Sequence, residues 1–398
     1  MNGKMNSGKI KIGITTLYTG STNYGGVLQA YAMCKALENL GFEAYQILYK
    51  KDPISAKERL VRTIQNKRLL SMMKIRINLF IVSIQEKIHH STQSLREFRN
   101  SFSEFREMIP HSEKLYTDKT ITDCTIYDVY LTGSDQVWNI GETYEIEPFY
   151  WLEFVDSNKR KISYAASISK KDFPKYLYPK IQSLLADYRA ISVREKTDKK
   201  LLDRIIGNGK TQWVLDPTLL ISRSEWEMLC EDNPYKEKHY VFAYLLGSNT
   251  KQRELVTEWA KKHNKTIICI PYLLGHYRSC DKLFGDIRRS NVTPNLWLSL
   301  IRDADCVFTD SFHAAVFSSI FHTPFYVFKR SKDSSKHSMN SRIYSLMQLF
   351  NTGDRIIDNN DDILSFPPMG SIDFSKIDKN VEIERSKSIS FLKNAIEE

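Results

Sequence analysis

Long apolar runs are missing from this sequence. No stretch of about 18 consecutive apolar residues occurs in the 398-residue chain, so the sequence predicts no transmembrane helix. The nearest approach, residues 77–84, is short and includes Asn78 and Ser83. The first residues, MNGKMNSGKI, also lack the apolar segment of a secretory signal peptide. We therefore expect a cytoplasmic protein, and peripheral contact with the inner membrane face stays open.

Patterns for metals, cofactors and nucleic acids are missing as well. The six cysteines are scattered, with no CxxC pair and no neighbouring histidine cluster, which is typical of reduced thiols. The chain has no GxGxxG dinucleotide fingerprint. It also has no RNP, helix-turn-helix or zinc-finger pattern. We predict no metal, no cofactor and no nucleic-acid partner.

The chain does have length, apolar residues and positive charge. Its length suits two domains, and an apolar fraction of 42% is enough to form their cores. The net charge of +10 favours anionic partners. Much of the excess lies between Lys57 and Arg106, in a segment whose pattern predicts helices from Ser55 to Phe105. That segment is predicted to be a helical hairpin on the sheet, a solvated or partner-binding face, or an interfacial membrane helix.

Strand and helix patterns alternate twice along the chain. The first series starts with a strand at 9–18, a helix at 27–40 and a strand at 42–49, and the second starts with the strand 238–247. Alternation of this kind predicts an α/β fold with two Rossmann-like domains facing a ligand cleft. The predicted N-terminal domain, residues 9–207, includes the basic insertion at about 55–106 and provides the acceptor side. The C-terminal domain spans 208–355, and the tail, 356–398, is expected to be helical and to cross back.

Two segments have the composition of a sugar site. Residues 23–26, Asn23-Tyr24-Gly25-Gly26, are expected between a strand and a helix, and they form either an anion or sugar-phosphate pocket or a tight turn. The segment 134–139 follows an apolar strand and could bind a sugar through amide, carboxylate and aromatic groups. Its candidate residues are Ser134, Asp135, Gln136, Trp138 and Asn139. The alternative for it is a core tryptophan with Asp135 as a helix cap.

Other candidates could hold an anion or move a proton. His313 follows a strand end, where open α/β sheets bind ligands, and could act as a general acid or base. Alternatively, it is a histidine satisfied by a backbone carbonyl. Arg194 ends another strand, and it either binds a carboxylate or phosphate or pairs with Glu195. Further possible cations are Lys329, Arg330 and Arg342.

Seven ordered motifs together resemble the polysaccharide pyruvyl transferase family. They are NYGGVLQAYA (23–32), LTGSDQVWN (131–139), SYAAS (163–167), SVREK (192–196), VLDPTLL (214–220), TDSFHAAVFS (309–318) and NSRI (340–343). The resemblance implies a GT-B-like architecture, phosphoenolpyruvate as donor and a sugar diol as acceptor. The implied product is a pyruvate ketal on an exopolysaccharide, a capsule or a lipid-diphosphate-linked precursor.

The resemblance also assigns residues. The family's catalytic histidine corresponds to His313, and its donor-binding arginine corresponds to Arg194. Many members have Arg-Leu-His where this chain has Ser311-Phe312-His313, so one donor-binding arginine is missing. Ser311 is left beside the expected donor site, and Arg342, Arg330 or Lys329 could complete the pocket.

Several functional hypotheses stay open. Asp135 could orient the acceptor diol or act as a second base. The competing functions are a GT-B glycosyltransferase using a nucleotide sugar, and a non-catalytic glycan-binding or assembly protein.

Overall fold

The computed structural model describes most of the chain. The described residues are 9–53, 92–141, 145–207, 209–272, 278–331, 333–334, 339–358, 361–362 and 365–398. Most of the basic segment expected from Ser55 to Phe105 lies outside them. From its end the structure describes two helices, α2 (Thr92–Asn100) and α3 (Ser103–Glu107).

Five parallel strands form the first sheet. They are β1 (Lys11–Thr15), β2 (Glu43–Gln46), β3 (Val129–Thr132), β4 (Arg160–Ser163) and β5 (Tyr188–Ala190). Their order across the sheet is β2-β1-β3-β4-β5. The strands are rich in buried branched residues, such as Ile12 and Ile14, as expected for a parallel sheet covered on both faces.

Helices and a small strand pair complete this half. The helices are α1 (Tyr24–Asn39), α4 (Tyr178–Leu185) and α5 (Lys196–Ile206). Two short strands, β6 (Ser192–Val193) and β7 (Gln212–Trp213), pair in parallel. Helix α1 begins earlier than the sequence predicted, because the Asn23 side chain caps the Gly26 amide. Residues 24–26 therefore form its first turn rather than a loop.

The second half is built on a six-stranded parallel sheet. Its strands are β8 (Tyr240–Tyr244), β9 (Thr266–Cys269), β10 (Ile287–Arg288), β11 (Cys306–Thr309), β12 (Phe325–Phe328) and β13 (Ile356–Ile357). Their order is β10-β9-β8-β11-β12-β13. The helices here are α6 (Arg223–Glu227), α7 (Thr250–Lys262), α8 (Pro294–Arg302), α9 (Phe312–Ile320) and α10 (Ser341–Phe350). The expected α/β class with two Rossmann-like domains is confirmed.

The two halves share a packed interface. The Tyr24 ring of α1 stacks on the Trp297 ring of α8, with centroids 5.3 Å apart, and the Tyr24 hydroxyl donates to the Val292 carbonyl at 2.8 Å. The chain passes between the halves through residues 214–220. This core contact fixes α1 against the second half.

The last helix, α11 (Phe374–Glu397), contacts both halves. Its Ser388 hydroxyl accepts a hydrogen bond from the Leu215 amide at 3.0 Å, and the Arg160 guanidinium of β4 donates to the Ile396 carbonyl. It also packs on α10. Of the helices in the described ranges, none combines the length and apolar character needed to traverse a bilayer.

Candidate functional site

His313 lies where the carboxyl ends of the two sheets approach each other. It occupies the first turn of α9, directly after β11, and only 7% of its surface is exposed. Its Nε2 atom lies 3.6 Å from Asp216 Oδ2 and has no hydrogen-bond partner in the described chain. The ring is thus held near a carboxylate and keeps a nitrogen available for proton transfer.

Gly25 explains how the imidazole reaches the interface. A Cβ atom added to Gly25 would lie 2.1 Å from His313 Nδ1, so only glycine leaves room for the ring against α1. Tyr24 is 1% exposed and belongs to the interdomain core. The Asn23 side chain caps α1, since its Oδ1 atom accepts a hydrogen bond from the Gly26 amide at 3.4 Å. The expected acceptor contact of Tyr24 is therefore wrong, because its ring lies in the core, and Gly25 makes room for His313. The roles expected for Asn23 and Gly26 stay predictions.

Arg194 is surrounded by carboxylates. Its Nη1 donates to Asp216 Oδ2 at 2.8 Å, its Nε donates to Glu195 Oε1 at 3.0 Å, and its Nη2 lies 3.6 Å from Asp135 Oδ1. Burial alone would lower the pKa of this guanidinium, but the nearby carboxylates outweigh burial and raise it. The ion pair with Glu195 that the sequence left open is present. Nη2 makes no hydrogen bond within the described chain and stays able to donate.

Asp216 links these groups, and the sequence reasoning did not select it. Its Oδ2 accepts from Arg194 and lies 3.2 Å from the Ser134 hydroxyl, and its Oδ1 accepts from the Thr218 amide and hydroxyl. Burial would raise the pKa of this carboxyl, but His313 and Arg194 reverse that effect and lower it below its ordinary value. The carboxylate stays ionised between the imidazole and the guanidinium. Its place in the VLDPTLL motif was the available signal.

The remaining cations differ in how fully they are neutralised. Lys329 pairs with Asp358 at 2.6 Å and lies 3.4 Å from Asp333. These carboxylates compete with a donor for its ammonium, and its donor-binding role stays a prediction. Arg330 lies 3.4 Å from Asp310, and its Nε has no partner in the described chain.

Arg342 and Ser311 complete the set. Arg342 is buried at the start of α10, and its polar contacts among the described residues are long ones to Met339. Ser311 precedes α9, and its side chain does not cap that helix. Arg194, Asp216, Phe312 and Arg342 line one small cavity.

The 134–139 segment contributes Asp135 and Ser134 but not an aromatic face. Trp138 is fully buried and stacks on Trp151, with centroids 4.7 Å apart, so its expected contact with an acceptor sugar is corrected to a core role. Asn139 donates to the Gln136 side chain at 2.8 Å, so the two amides are bound to each other. Asp135 caps no helix and instead faces Arg194.

Chemically, the site combines an imidazole, guanidinium groups and carboxylates, of which Asp216 is held ionised. Such a set can bind an anion and move protons without reorganising. Within the described residues, no group of three or more His, Cys, Asp or Glu side chains could hold a metal ion. The fold defines a two-domain α/β protein of GT-B-like architecture, and the candidate site joins His313, Asp216 and Arg194.

Comparisons with known proteins specify this class further. The model of the polysaccharide pyruvyl transferase family matches residues 23–332, and the chain belongs to that family. No curated protein matches the chain.

Solved structures support the architecture. A Listeria monocytogenes protein described as a UDP-N-acetylglucosamine 2-epimerase is 12% identical, with 98% of this chain and 97% of that chain covered and a TM-score of 0.54. The N-terminal domain of Candida albicans trehalose-6-phosphate phosphatase is 9% identical, with coverage of 99% and 98% and a TM-score of 0.51. At these identities the likeness concerns the fold alone.

Proposed function

We propose that this protein transfers pyruvate from phosphoenolpyruvate to a sugar diol and forms a pyruvate ketal. The acceptor is a sugar of a cell-surface polysaccharide or its lipid-diphosphate-linked precursor. The observation that carries the proposal is the contact of His313 and Arg194 with one ionised carboxylate, Asp216, at the meeting point of both sheets. Family membership supports the polysaccharide substrate class.

The donor's charge suits this centre. Phosphoenolpyruvate carries a carboxylate and a phosphate, and guanidinium groups bind both through charge-assisted hydrogen bonds. Arg194 keeps Nη2 for such a bond, and Arg342 and Arg330 add positive charge from the other half. No metal or cofactor is required by this scheme.

The chemistry needs one proton donor and one proton acceptor. A proton adds to the methylene carbon of the enol, and the first sugar hydroxyl attacks the adjacent cationic carbon. The bond to phosphate then breaks, and the second hydroxyl closes the ketal ring. Of the two hydroxyl protons released, one balances the proton on the new methyl group and the other leaves with phosphate.

His313 is the proposed general acid and base for these transfers. Asp216 would orient the ring, because its Oδ2 atom lies 3.6 Å from His313 Nε2. Asp135, beside Arg194, is the proposed contact for the acceptor diol or a second base.

Phosphate release tests the proposal. We expect the wild-type protein to release phosphate from phosphoenolpyruvate only when a lipid-diphosphate-linked galactoside, or another suitable glycan diol, is present. His313→Ala should lower turnover at least a hundredfold with donor binding retained. Turnover of His313→Ala within about tenfold of wild type would show that His313 is not the general acid or base. An Arg194→Ala protein that binds phosphoenolpyruvate normally would remove Arg194 from the donor pocket.

Two outcomes favour the competing functions. Saturable binding of UDP or GDP, with sugar transfer from a nucleotide sugar, would favour a GT-B glycosyltransferase. Glycan binding without turnover of either donor would favour a non-catalytic assembly protein.

A further inference from the structure

Arg342 is a buried cation that forms no ion pair within the described part of the chain. Only 8% of its surface is exposed, and its Nε and Nη2 atoms lie 3.5 Å from the Met339 carbonyl and 3.7 Å from the Met339 sulfur. Neither contact is a strong hydrogen bond, and neither partner carries charge. No carboxylate of the described ranges forms an ion pair with it.

The other buried arginines of the described chain each form at least one ion pair. Arg194 contacts three carboxylates, Arg253 pairs with Asp281 at 2.7 Å, and Arg355 lies 3.7 Å from Asp354. Buried charges are normally paired in this way because removing an ion from water is unfavourable. Arg342 departs from that rule, and the departure lies at the candidate site.

Neighbouring cations increase the imbalance. Burial, followed by the like charges of Arg194 and Arg330, lowers the pKa of Arg342 to about 10, and Glu195 and Asp135 offset only part of that effect. The guanidinium nevertheless stays protonated at neutral pH. Arg342 therefore keeps a charge and donor atoms that no carboxylate of the described residues contacts directly, and an anionic ligand would pair with them.

We propose that Arg342 directly contacts the anionic donor, and that it supplies from α10 the positive charge that the Ser311 side chain cannot. The assignment rests on the proposed function for the identity of that donor. The ligand chemistry it requires is a phosphate or a carboxylate, both of which match a guanidinium bidentately.

Arg342→Met tests the assignment because it keeps the length of the side chain and removes its charge. Arg302→Gln is the matched control, since it also removes one positive charge, but at the end of α8, where Arg302 is paired with Asp303. The probe is phosphoenolpyruvate, measured by calorimetry and by the ligand-induced rise in melting temperature. Inorganic phosphate serves as a second probe.

We expect Arg342→Met to weaken phosphoenolpyruvate binding at least about 30-fold. Its affinity should also fall less steeply than that of the wild type as the salt concentration rises. Arg302→Gln should change affinity less than threefold. Without ligand, the methionine protein should melt at the wild-type temperature or above, because it no longer buries an unpaired charge. Arg342→Lys should recover part of the affinity.

The outcomes separate this inference from the proposed function. If the wild type binds phosphoenolpyruvate and Arg342→Met binds it equally well, the assignment of Arg342 is wrong and the function stands. If Arg342→Met loses binding but the wild type forms no ketal, the assignment stands and the function is wrong. A methionine protein that unfolds or melts well below wild type would show that Arg342 serves the fold, which also overturns the assignment.

Discussion

Replacing Asp216 with asparagine should destabilise the protein and slow its reaction together. Oδ1 of Asp216 accepts from the Thr218 amide and hydroxyl, and Oδ2 accepts from Arg194 at 2.8 Å. An asparagine has one oxygen and one NH₂ group. Whichever way it turns, its NH₂ group faces a donor, so one of these interactions is lost.

The size of the stability loss follows from burial. Asp216 is 2% exposed, and breaking a buried ion pair costs about 3–5 kcal/mol. Arg194 would keep Glu195 and Asp135 as partners, so we expect a loss near the lower end, about 3 kcal/mol. Turnover should fall at least a hundredfold because His313 loses the carboxylate that orients it.

Lowering the pH should narrow the difference in unfolding free energy between the wild type and Asp216→Asn. The pKa of Asp216 is lower in the folded protein than in the unfolded chain, so its contribution is present above about pH 4 and is lost as the pH falls towards the folded-state value. Between pH 7 and pH 3 the gap between wild type and Asp216→Asn should shrink by about 1 kcal/mol.

Urea unfolding of both proteins at several pH values measures this gap, and phosphate release measures turnover. Asp123→Asn is the control, because Asp123 forms an exposed pair with Lys114 and should change stability by less than about 1 kcal/mol. Wild-type stability and turnover in Asp216→Asn, or a gap that does not vary with pH, would refute the reasoning.

Three other substitutions test neighbouring parts of the site. Gly25→Ala should displace the His313 ring and lower turnover at least tenfold. Gly370→Ala is the control and should leave turnover unchanged, because no atom lies within 4 Å of its added Cβ. Normal turnover in Gly25→Ala would contradict the contact with His313. Trp138→Ala should lower the free energy of unfolding in urea by about 3–5 kcal/mol without a specific rise in the KM for the acceptor. A raised acceptor KM with unchanged stability would show that Trp138 binds the sugar. Lys329→Gln should leave phosphoenolpyruvate affinity within about threefold of wild type, because Asp358 and Asp333 already pair with the ammonium. A larger loss of affinity would show that Lys329 binds the donor.

Local patterns predicted the fold well. The apolar, branched segments around Ile12, Leu131 and Phe308 form buried parallel strands, because such residues satisfy a sheet covered on both faces. The two strand–helix series therefore indicated the α/β class without any tertiary information. Boundaries were less accurate, as at Tyr24, where a side-chain cap extends α1.

The site was harder to predict because its contacts are long-range. Gly25 looked like a loop residue, but its role depends on His313 in the other half. Asp216 looked like part of a connection, although it joins Arg194 and His313. The sequence left Trp138 open between a sugar contact and the core, and its burial and its contact with Trp151 show that it is core. Residue type suggested chemistry in each case, but burial decided the role.

Transfer of labelled pyruvate tests the central claim most directly. The protein would be incubated with uniformly ¹³C-labelled phosphoenolpyruvate and a lipid-diphosphate-linked glycan, and the acceptor analysed by mass spectrometry and NMR. We predict a labelled ketal, with its methyl and carboxylate carbons, from the wild type and not from His313→Ala. A labelled ketal formed equally well without His313, or an unlabelled acceptor that is instead glycosylated from a nucleotide sugar, would contradict the account.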